Sequence, residues 1–289
     1  MKSQKSFQDK HATLYLVATP IGNLEDMTVR AIRILKEVDI IAAEDTRNTK
    51  NLCNYFDIQT KLVSYHEHNQ DSGGFKILSY LQEGKSVALV SDAGMPCISD
   101  PGEDIVKRAV AEDFPVVPVP GANAALSALI ASGISPQPFL FYGFLSRNKK
   151  DRQAELAILS QKEETLIFYE APHRLKESLK SIQKEFGNER KITLAREVTK
   201  KFEEFLRGTV EEAVAWAEES TIRGEFCIVI EGNASPDVLE AEKWWEALSI
   251  PEHVEELMEK KNLTSKEAIK EVSIERNLSK REVYQEYHV

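Results

Sequence analysis

Val87-Ala88-Leu89-Val90-Ser91-Asp92-Ala93-Gly94-Met95-Pro96-Cys97-Ile98-Ser99-Asp100-Pro101-Gly102 is the stretch whose reading decides the fold. Its first four residues form an unbroken apolar run of strand length, the pattern of a β-strand buried on both faces. The remainder holds two glycines, two prolines and two acids, and is longer than a simple strand-to-helix turn. Helical spacing follows from Ile105 to Ala111. Strand, long loop and helix in that order define a parallel α/β unit, in which ligands bind beyond the carboxyl ends of the strands. A loop so rich in Gly and Pro presents backbone N–H and C=O groups in fixed directions. That suits a ligand carrying both an amino and a carboxylate group.

The same alternation continues outward. Leu14 to Ala18, Ile40 to Ala43, Leu62 to Tyr65 and Val116 to Val119 read as further strands, with helices carrying Val29, Ile32 and Leu35 on one face and spanning Asn48 to Phe56. Beyond a boundary near Gly121, an apolar helix from Ala122 to Ser132 leads into a second series. Its strands are Phe139 to Tyr142, Leu166 to Tyr169, Ile192 to Ala195, Glu203 to Arg207 and Phe226 to Ile230; its helices are Arg152 to Ser160, Leu175 to Phe186 and Val210 to Ala217. The expected class is therefore α/β with two α/β domains, residues 1–121 and 122–232, and a linker and small helical tail over 233–289. In the tail, residues 237–259 carry eight acids and one base, and 260–281 carry seven bases and three acids. Lys266 to Arg276, followed by Ser279 capping a helix to His288, has helix–turn–helix character. It reads as a small bundle or as an RNA-contacting appendage.

Composition bounds the function. The chain has 289 residues, with 37 Lys and Arg against 47 Asp and Glu, a net charge of −10. Hydrophobic content of 42% and charged content of 29% exclude a disordered, collagenous or coiled-coil chain. The three cysteines, Cys53, Cys97 and Cys227, are odd in number and far apart, which excludes a disulfide framework and a Cys-based zinc site. No apolar stretch approaches the roughly 18 residues of a membrane span, and the run at Leu14 is too short for a signal-peptide core. A soluble cytoplasmic protein with no membrane partner is expected. No pair of glycines is spaced G-x-G, and Gly22 precedes no Gly-Lys-Ser/Thr, so the dinucleotide and Walker A loops are absent.

The loops after the strands supply the candidates. Thr19 to Thr28 turns at Gly22, with Asp26 or Thr28 as helix caps. Glu44-Asp45-Thr46-Arg47 crowds two acids and an arginine at a strand end. His66-Glu67-His68-Asn69 contains a His-x-His pair but no third ligand at suitable spacing, so no metal is expected. Pro120-Gly121-Ala122-Asn123-Ala124 opens a helix N-terminus. Glu170, His173, Arg174, Arg196 and Lys200 form a polar set after apolar strands of the second domain, and Arg147 to Arg152 is a basic loop, expected to be exposed, suited to phosphate.

These segments, in this order, resemble the small-subunit ribosomal RNA methyltransferases that 2′-O-methylate a cytidine ribose in 16S rRNA, within the tetrapyrrole methylase superfamily. Ala18 to Leu24, Ala42 to Arg47, Tyr65 to Asn69, Leu89 to Gly102, Val119 to Gly121, Ile167 to Arg174, Arg196 to Lys200 and Gly224 to Gly232 carry the likeness. It covers about residues 12–232, and its combination of motifs is specific although each piece alone is weak. The resemblance implies S-adenosylmethionine (SAM) held between two domains, a homodimer, and 16S rRNA of the small ribosomal subunit as substrate. It implies cofactor contacts at Pro20, Asp92, Ala93, Gly94, Ile98, Asn123, Ala124, Tyr169, Glu170, Arg196, Gly224 and Glu225. Met95 and Val198 stand where threonine and leucine are expected, and the first loop lacks the Gly-Pro-Gly of tetrapyrrole enzymes, which disfavours a porphyrin-like substrate.

Methyl transfer to a ribose hydroxyl needs alignment and a proton acceptor. The candidates are Glu44, Asp45 and His66, with Glu170 and His173 from the second domain and Glu44 preferred. Arg47, Arg147, Lys149, Lys150, Arg174 and Lys200 are the expected RNA contacts. The acidic total is unusual for an RNA binder, yet local basic patches matter more than the sum. A small-molecule methylase of the same fold and a catalytically silent ribosome-binding module are the competing readings.

Overall fold

The computed structural model describes residues 3–6, 12–234, 245, 248–261, 263–276 and 278–288. The chain divides into two compact units, Met1–Ala234 and Ser235–Val289. Within the first unit, strands β1 (Leu14–Val17), β2 (Ile40–Ala43), β3 (Lys61–Ser64), β4 (Val87–Val90) and β5 (Val116–Val119) form one sheet in the order β3-β2-β4-β1-β5. Every pairing in it is parallel. The connecting helices α1 (Val29–Glu37), α2 (Thr46–Tyr55), α3 (Gln70–Gln82) and α4 (Glu103–Ala111) cover it. Ala31, Ile34 and Leu35 of α1 pack with Cys53 of α2, while Ile77 and Leu81 of α3 pack with Ile105 of α4 on a separate core. Both faces of β2 and β4 are therefore buried, which is why their sequences are apolar without alternation.

Helix α5 (Ala124–Ser132) leads out of this sheet but packs on the second one: Ala125, Ala128 and Leu129 contact the cluster of Ile167, Ala195, Cys227 and Val229. The second sheet contains β6 (Phe139–Phe144), β7 (Thr165–Glu170), β8 (Lys191–Arg196), β9 (Glu204–Thr209) and β10 (Phe226–Ile230), in the order β6-β7-β10-β8-β9. Helices α6 (Lys149–Leu159), α7 (Leu175–Phe186) and α8 (Val210–Glu219) bury its other face around Phe168, Leu179 and Ile228.

Only β6–β7 is parallel; β7–β10, β10–β8 and β8–β9 are antiparallel. The direction of β10 has a consequence for the site. Its first residues sit beside the last residues of β7 and β8, pairing Phe226 with both Glu170 and Arg196. A segment that precedes a strand thereby reaches the edge to which the other loops run.

One expectation is corrected here. Arg152 does not belong to an exposed basic loop, because Asn148 caps a helix that starts at Lys149 and accepts from the N–H of Lys150 at 2.8 Å. Three residues into α6, Arg152 points inward at 1% exposure, bonded to Ser181 Oγ at 3.1 Å and paired with Glu177 at 2.6 Å.

In the second unit, α9 (Ile250–Lys261), α10 (Ser265–Glu275) and α11 (Lys280–Tyr287) enclose Val254, Leu257, Val272 and Val283. Ser279 caps α11 and Thr264 caps α10, each in a capping box with the glutamate three residues on. Residues 235–244 of the expected linker and tail lie outside the described residues.

Candidate functional site

The carboxyl edge of the first sheet and the polar edge of the second enclose a cleft with a volume of about 270 Å³. From the first sheet come Ala93, Gly94 and Ile98 of the loop after β4, and Asn123 and Ala124 at the start of α5. Asn123 caps that helix, accepting from the Leu126 N–H at 2.9 Å. From the second sheet come Tyr169 and Glu170 at the end of β7 and Glu225 before β10. The sequence-predicted cofactor residues Ala93, Gly94, Ile98, Asn123, Ala124, Tyr169, Glu170 and Glu225 thus meet at one cavity although they come from four segments.

Pro20, Asp92, Arg196 and Gly224 are not among the residues that line the cavity. The neighbour of Pro20, Ile21, faces the cavity instead. Arg196 turns away to the Arg223 carbonyl at 2.6 Å and to Glu204 at 3.1 Å. Gly224, at φ +80°, packs against the side chain of Glu197, which accepts from the Glu225 N–H at 3.0 Å. Sequence reasoning missed Ser99, Asp100, Phe144, Glu197 and Phe226 as lining residues. Ser99, Asp100, Glu197 and Phe226 fall within the stretches that carry the resemblance, whereas Phe144 lies outside them all.

The cleft is mainly apolar, with Ile21, Met95, Phe144, Val198 and Phe226 on its walls and carboxylates from Asp100, Glu197 and Glu225. Gly94 is in the left-handed region at φ +77°, and a Cβ there would lie 3.3 Å from Ile21 and 3.6 Å from the Ala122 carbonyl. Its backbone can therefore be approached by a ligand where a side chain would block it. The Thr19–Gly94 pairing, with N–H to O distances of 2.9 and 3.1 Å, ties this loop to the one after β1.

The acids divide by environment. Glu170 is buried at 2% exposure and is saturated by its own protein: it accepts from Ser178 Oγ at 2.5 Å and the Ala171 N–H at 2.9 Å, with Arg174 Nε at 3.5 Å. Asp45 caps α2 and grips Arg47 through two bonds of 3.1 and 2.7 Å, which hold its carboxyl down at about 2. A carboxylate so strongly ionised is a weak proton acceptor at neutral pH.

Asp92 accepts from the Asp45 N–H at 3.1 Å and Asn48 Nδ2 at 3.0 Å. Its own N–H points to Glu44 Oε2 at 3.5 Å. Burial raises the Glu44 carboxyl, with the Asp92 charge adding to the effect. Asp100 is pushed up to about 7, by burial first and then by the charges of Glu44 and Asp92.

His66 begins the loop after β3, its N–H donating to Asn69 Oδ1 at 2.8 Å. His173 is exposed and does not line the cleft. Among the described residues no group of three or more His, Cys, Asp or Glu side chains is arranged to hold a metal ion.

Of the expected RNA contacts, Arg147, Lys149 and Lys150 lie at the start of α6, with Lys149 and Lys150 exposed, and the Arg47 side chain is 88% exposed. Arg174 instead donates to the carbonyls of Leu145 and Ser146 at 2.8 and 3.1 Å. Lys200 faces the cleft between Glu197 and Glu225, at 3.1 and 2.8 Å.

Two sheets joined by one helix, with a ligand-sized cleft between their polar edges, define a two-lobed α/β protein that binds a small molecule between its lobes. The profile of the tetrapyrrole (corrin/porphyrin) methylases matches residues 13–214. A protein of Bacillus subtilis named ribosomal RNA small subunit methyltransferase I is 58% identical over 100% of this chain and 99% of its own length. The protein of the same name from Synechocystis is 47% identical, covering 94% of this chain and 96% of that one. The chain belongs to the tetrapyrrole methylase family and, within it, to the ribosomal RNA small subunit methyltransferase I group. Solved structures share the fold at low identity. Diphthine synthase has a TM-score of 0.59 at 13% identity, covering 76% of this chain and 90% of its own. A uroporphyrin-III C-methyltransferase from Thermus thermophilus, complexed with S-adenosylhomocysteine, has a TM-score of 0.56 at 20% identity, covering 75% and 97%. No helix among the described residues is long and apolar enough to cross a membrane.

Proposed function

We propose that this protein is a SAM-dependent methyltransferase that acts on RNA of the small ribosomal subunit, at the 2′-hydroxyl of a cytidine ribose in 16S rRNA. The observation that carries the reading is the cleft itself, in a chain 58% identical over its full length to a ribosomal RNA small subunit methyltransferase. Its residues suit SAM by their chemistry. Ile21, Met95, Val198 and Phe226 offer apolar surface to an adenine ring and a thioether-like chain, Gly94 opens its backbone, and Glu197 and Glu225 offer carboxylates to an ammonium and to ribose hydroxyls. When bound, SAM supplies an electrophilic methyl group on a positively charged sulfur.

The protein's part is to align the acceptor, exclude water and take a proton. Arg147, Lys149, Lys150 and Arg47 are placed to meet phosphates outside the cleft. Arg174 and Lys200 act in this reading through internal bonds rather than on RNA.

We extend the reading to three further points. Residues 1–121 and 122–232 are its two methylase halves, and 233–289 is a tail that contacts RNA through exposed Lys266, Lys270, Lys280 and Arg281. The protein works as a homodimer, for which α5 exposes Leu126 and Ile130, one helical turn apart, at 47% and 80%. Its compartment is the cytoplasm, where ribosomal subunits are assembled.

The test is transfer of labelled methyl from SAM to 30S subunits lacking the modification, followed by nucleoside analysis. The expected product is 2′-O-methylcytidine. Binding of SAM without transfer to 30S subunits or free 16S rRNA would redirect the assignment to a small-molecule acceptor. Failure to bind SAM would leave a silent ribosome-binding module.

A further inference from the structure

We propose that Arg152 and Arg174 are positioning residues for the RNA substrate. From inside the second lobe they hold the turn at residues 145–148, and through it the exposed bases Arg147, Lys149 and Lys150, in a fixed place beside the cofactor cleft. The assignment rests on the methyltransferase reading above and deepens it, since it names what aims the phosphate contacts. Neither arginine touches RNA; both act through the turn.

The turn begins where the strand pairing of β6 ends. A bulge falls between Phe141 and Gly143, with Gly143 at φ +86° and packed against Ser99 of the loop after β4, whose Oγ a Cβ there would meet at 3.3 Å. Bulges bend a strand and re-aim the residues beside them. Phe144, the last residue of β6, pairs with Tyr169 of β7 and lines the cleft. The ladder stops there, so the carbonyls that follow need other donors.

The two arginines supply them. Arg174 donates to the Leu145 and Ser146 carbonyls at 2.8 and 3.1 Å, and Arg152 Nη1 to those of Ser146 and Arg147 at 3.3 and 3.4 Å. Three consecutive carbonyls are thus held by two guanidinium groups. Glu155 accepts from the Ser146 N–H at 3.0 Å, and Ser146 Oγ accepts from the Asn148 N–H at 3.2 Å. The remaining nitrogens of Arg152 anchor on α7, Nε on Ser181 and Nη2 on Glu177. A buried guanidinium is costly unless every donor is matched. An apolar side chain of that volume would fill the space more cheaply, but would leave the Ser146 and Arg147 carbonyls without this donor. What the arginine secures is placement: the side chains that follow, Arg147, Asn148, Lys149 and Lys150, are all exposed.

Lys149 comes five residues after Phe144. A chain spans at most about 3.6 Å per residue, which keeps these bases within about 18 Å of the cleft wall. That is the range of the nucleotides flanking an acceptor ribose in the cleft. Phosphate contacts fix the register and orientation of a nucleic acid without reading its bases. A turn free to move would lose that freedom at every encounter, whereas one already held binds without that ordering cost.

The test combines steady-state methylation of 30S subunits, 30S binding at a series of salt concentrations, and SAM titration calorimetry. Arg152→Lys keeps the charge but loses the fork that reaches Ser181, Glu177 and two carbonyls together. It is expected to raise KM for 30S subunits about tenfold, with kcat and SAM affinity within about threefold of wild type. The slope of log affinity against log salt should become shallower by about one to two, although the net charge is unchanged. In a protein carrying Arg147→Ala, Lys149→Ala and Lys150→Ala, the same change should alter KM by no more than about twofold, because the groups it aims are gone. Glu155→Ala frees the Ser146 N–H and spares both arginines. It should shift KM in the same direction, and carries the test if Arg152→Lys does not fold. A 30S KM within about twofold of wild type in both variants, an equal rise in the triple-alanine protein, or a parallel loss of SAM affinity would overturn the assignment while leaving the RNA methyltransferase reading intact. Absence of transfer by the wild type would overturn both.

Discussion

The Lys200 side chain lies directly over Gly22, so that a Cβ at Gly22 would fall inside the lysine's aliphatic stem. The two residues come from different lobes: Gly22 from the loop after β1, and Lys200 from the turn between β8 and β9. A hydrogen bond from Thr199 to Asp26 closes the same contact, and Ile21 and Val198 from these two segments line the cleft. Gly22→Ala is expected to weaken SAM binding about tenfold, equivalent to about 1.4 kcal/mol. Because the clash is with one flexible side chain, Gly22→Ala and Lys200→Ala should be non-additive, the double variant losing less than the sum of the two. Titration calorimetry on the four proteins reads this directly; strict additivity would show that the contact does not shape the cleft.

Tyr169 links the second sheet to α5, its hydroxyl accepting from the Ala125 N–H at 3.2 Å. Burial pushes its phenol up to about 12, so it stays neutral through the physiological range. Tyr169→Phe leaves a helix N–H without its acceptor and is expected to cost about 1–3 kcal/mol. Thermal melting should fall by a few degrees; an unchanged Tm would mean that water replaces the hydroxyl.

Glu170 reads in the sequence as a site residue, but its bonds make it a structural acid. Glu170→Ala would leave the buried Ser178 hydroxyl and the Ala171 N–H without their acceptor and is expected to destabilise the fold by about 3 kcal/mol. Ser178→Ala, which removes a single donor, should cost about 1 kcal/mol. Urea unfolding compares them. Equal, small losses would point instead to a functional carboxylate.

In the second unit, His253 is fully buried, stacked on Trp245 at 5.3 Å, with Nε2 3.0 Å from Glu275 and Nδ1 accepting from Arg276 Nε at 3.1 Å. Burial lowers its affinity for a proton below the ordinary 6.5, which outweighs the Glu275 charge. The unfolded chain therefore binds more protons in the window just below 6.5. The contribution of His253 is present above that pH and is lost as the pH falls through the lower, folded value. Amide exchange of α9 and α10 should accelerate as the pH falls below 6.5, and His253→Gln should flatten that response. An exchange profile independent of pH, once corrected for intrinsic rates, would rule out the imidazole as the cause.

The legibility of the sequence follows from the range of the forces involved. Val87–Val90 and Ile40–Ala43 declare themselves as buried strands because burial on both faces demands apolar side chains at every position. Caps are legible for the same local reason: Asp45, Thr28 and Ser279 each satisfy an N–H within three residues of themselves. Arg152 misleads because its surroundings in the sequence are basic, and only the start of α6 at Lys149 turns it toward Glu177 and Ser181.

The sequence by itself thus determined an α/β chain with its polar loops after apolar strands, and eight of the twenty cleft-lining residues through the motifs that carry the resemblance. The tertiary structure alone decided the antiparallel placement of β10, which brings Glu225 and Phe226 beside the ends of β7 and β8. It also decided the burial of Glu170 and the standing of Asp100 among Glu44, Asp92 and Tyr169. Strand propensity and capping depend on residues a few positions apart, whereas strand direction, burial and proton affinity depend on groups brought together from distant segments.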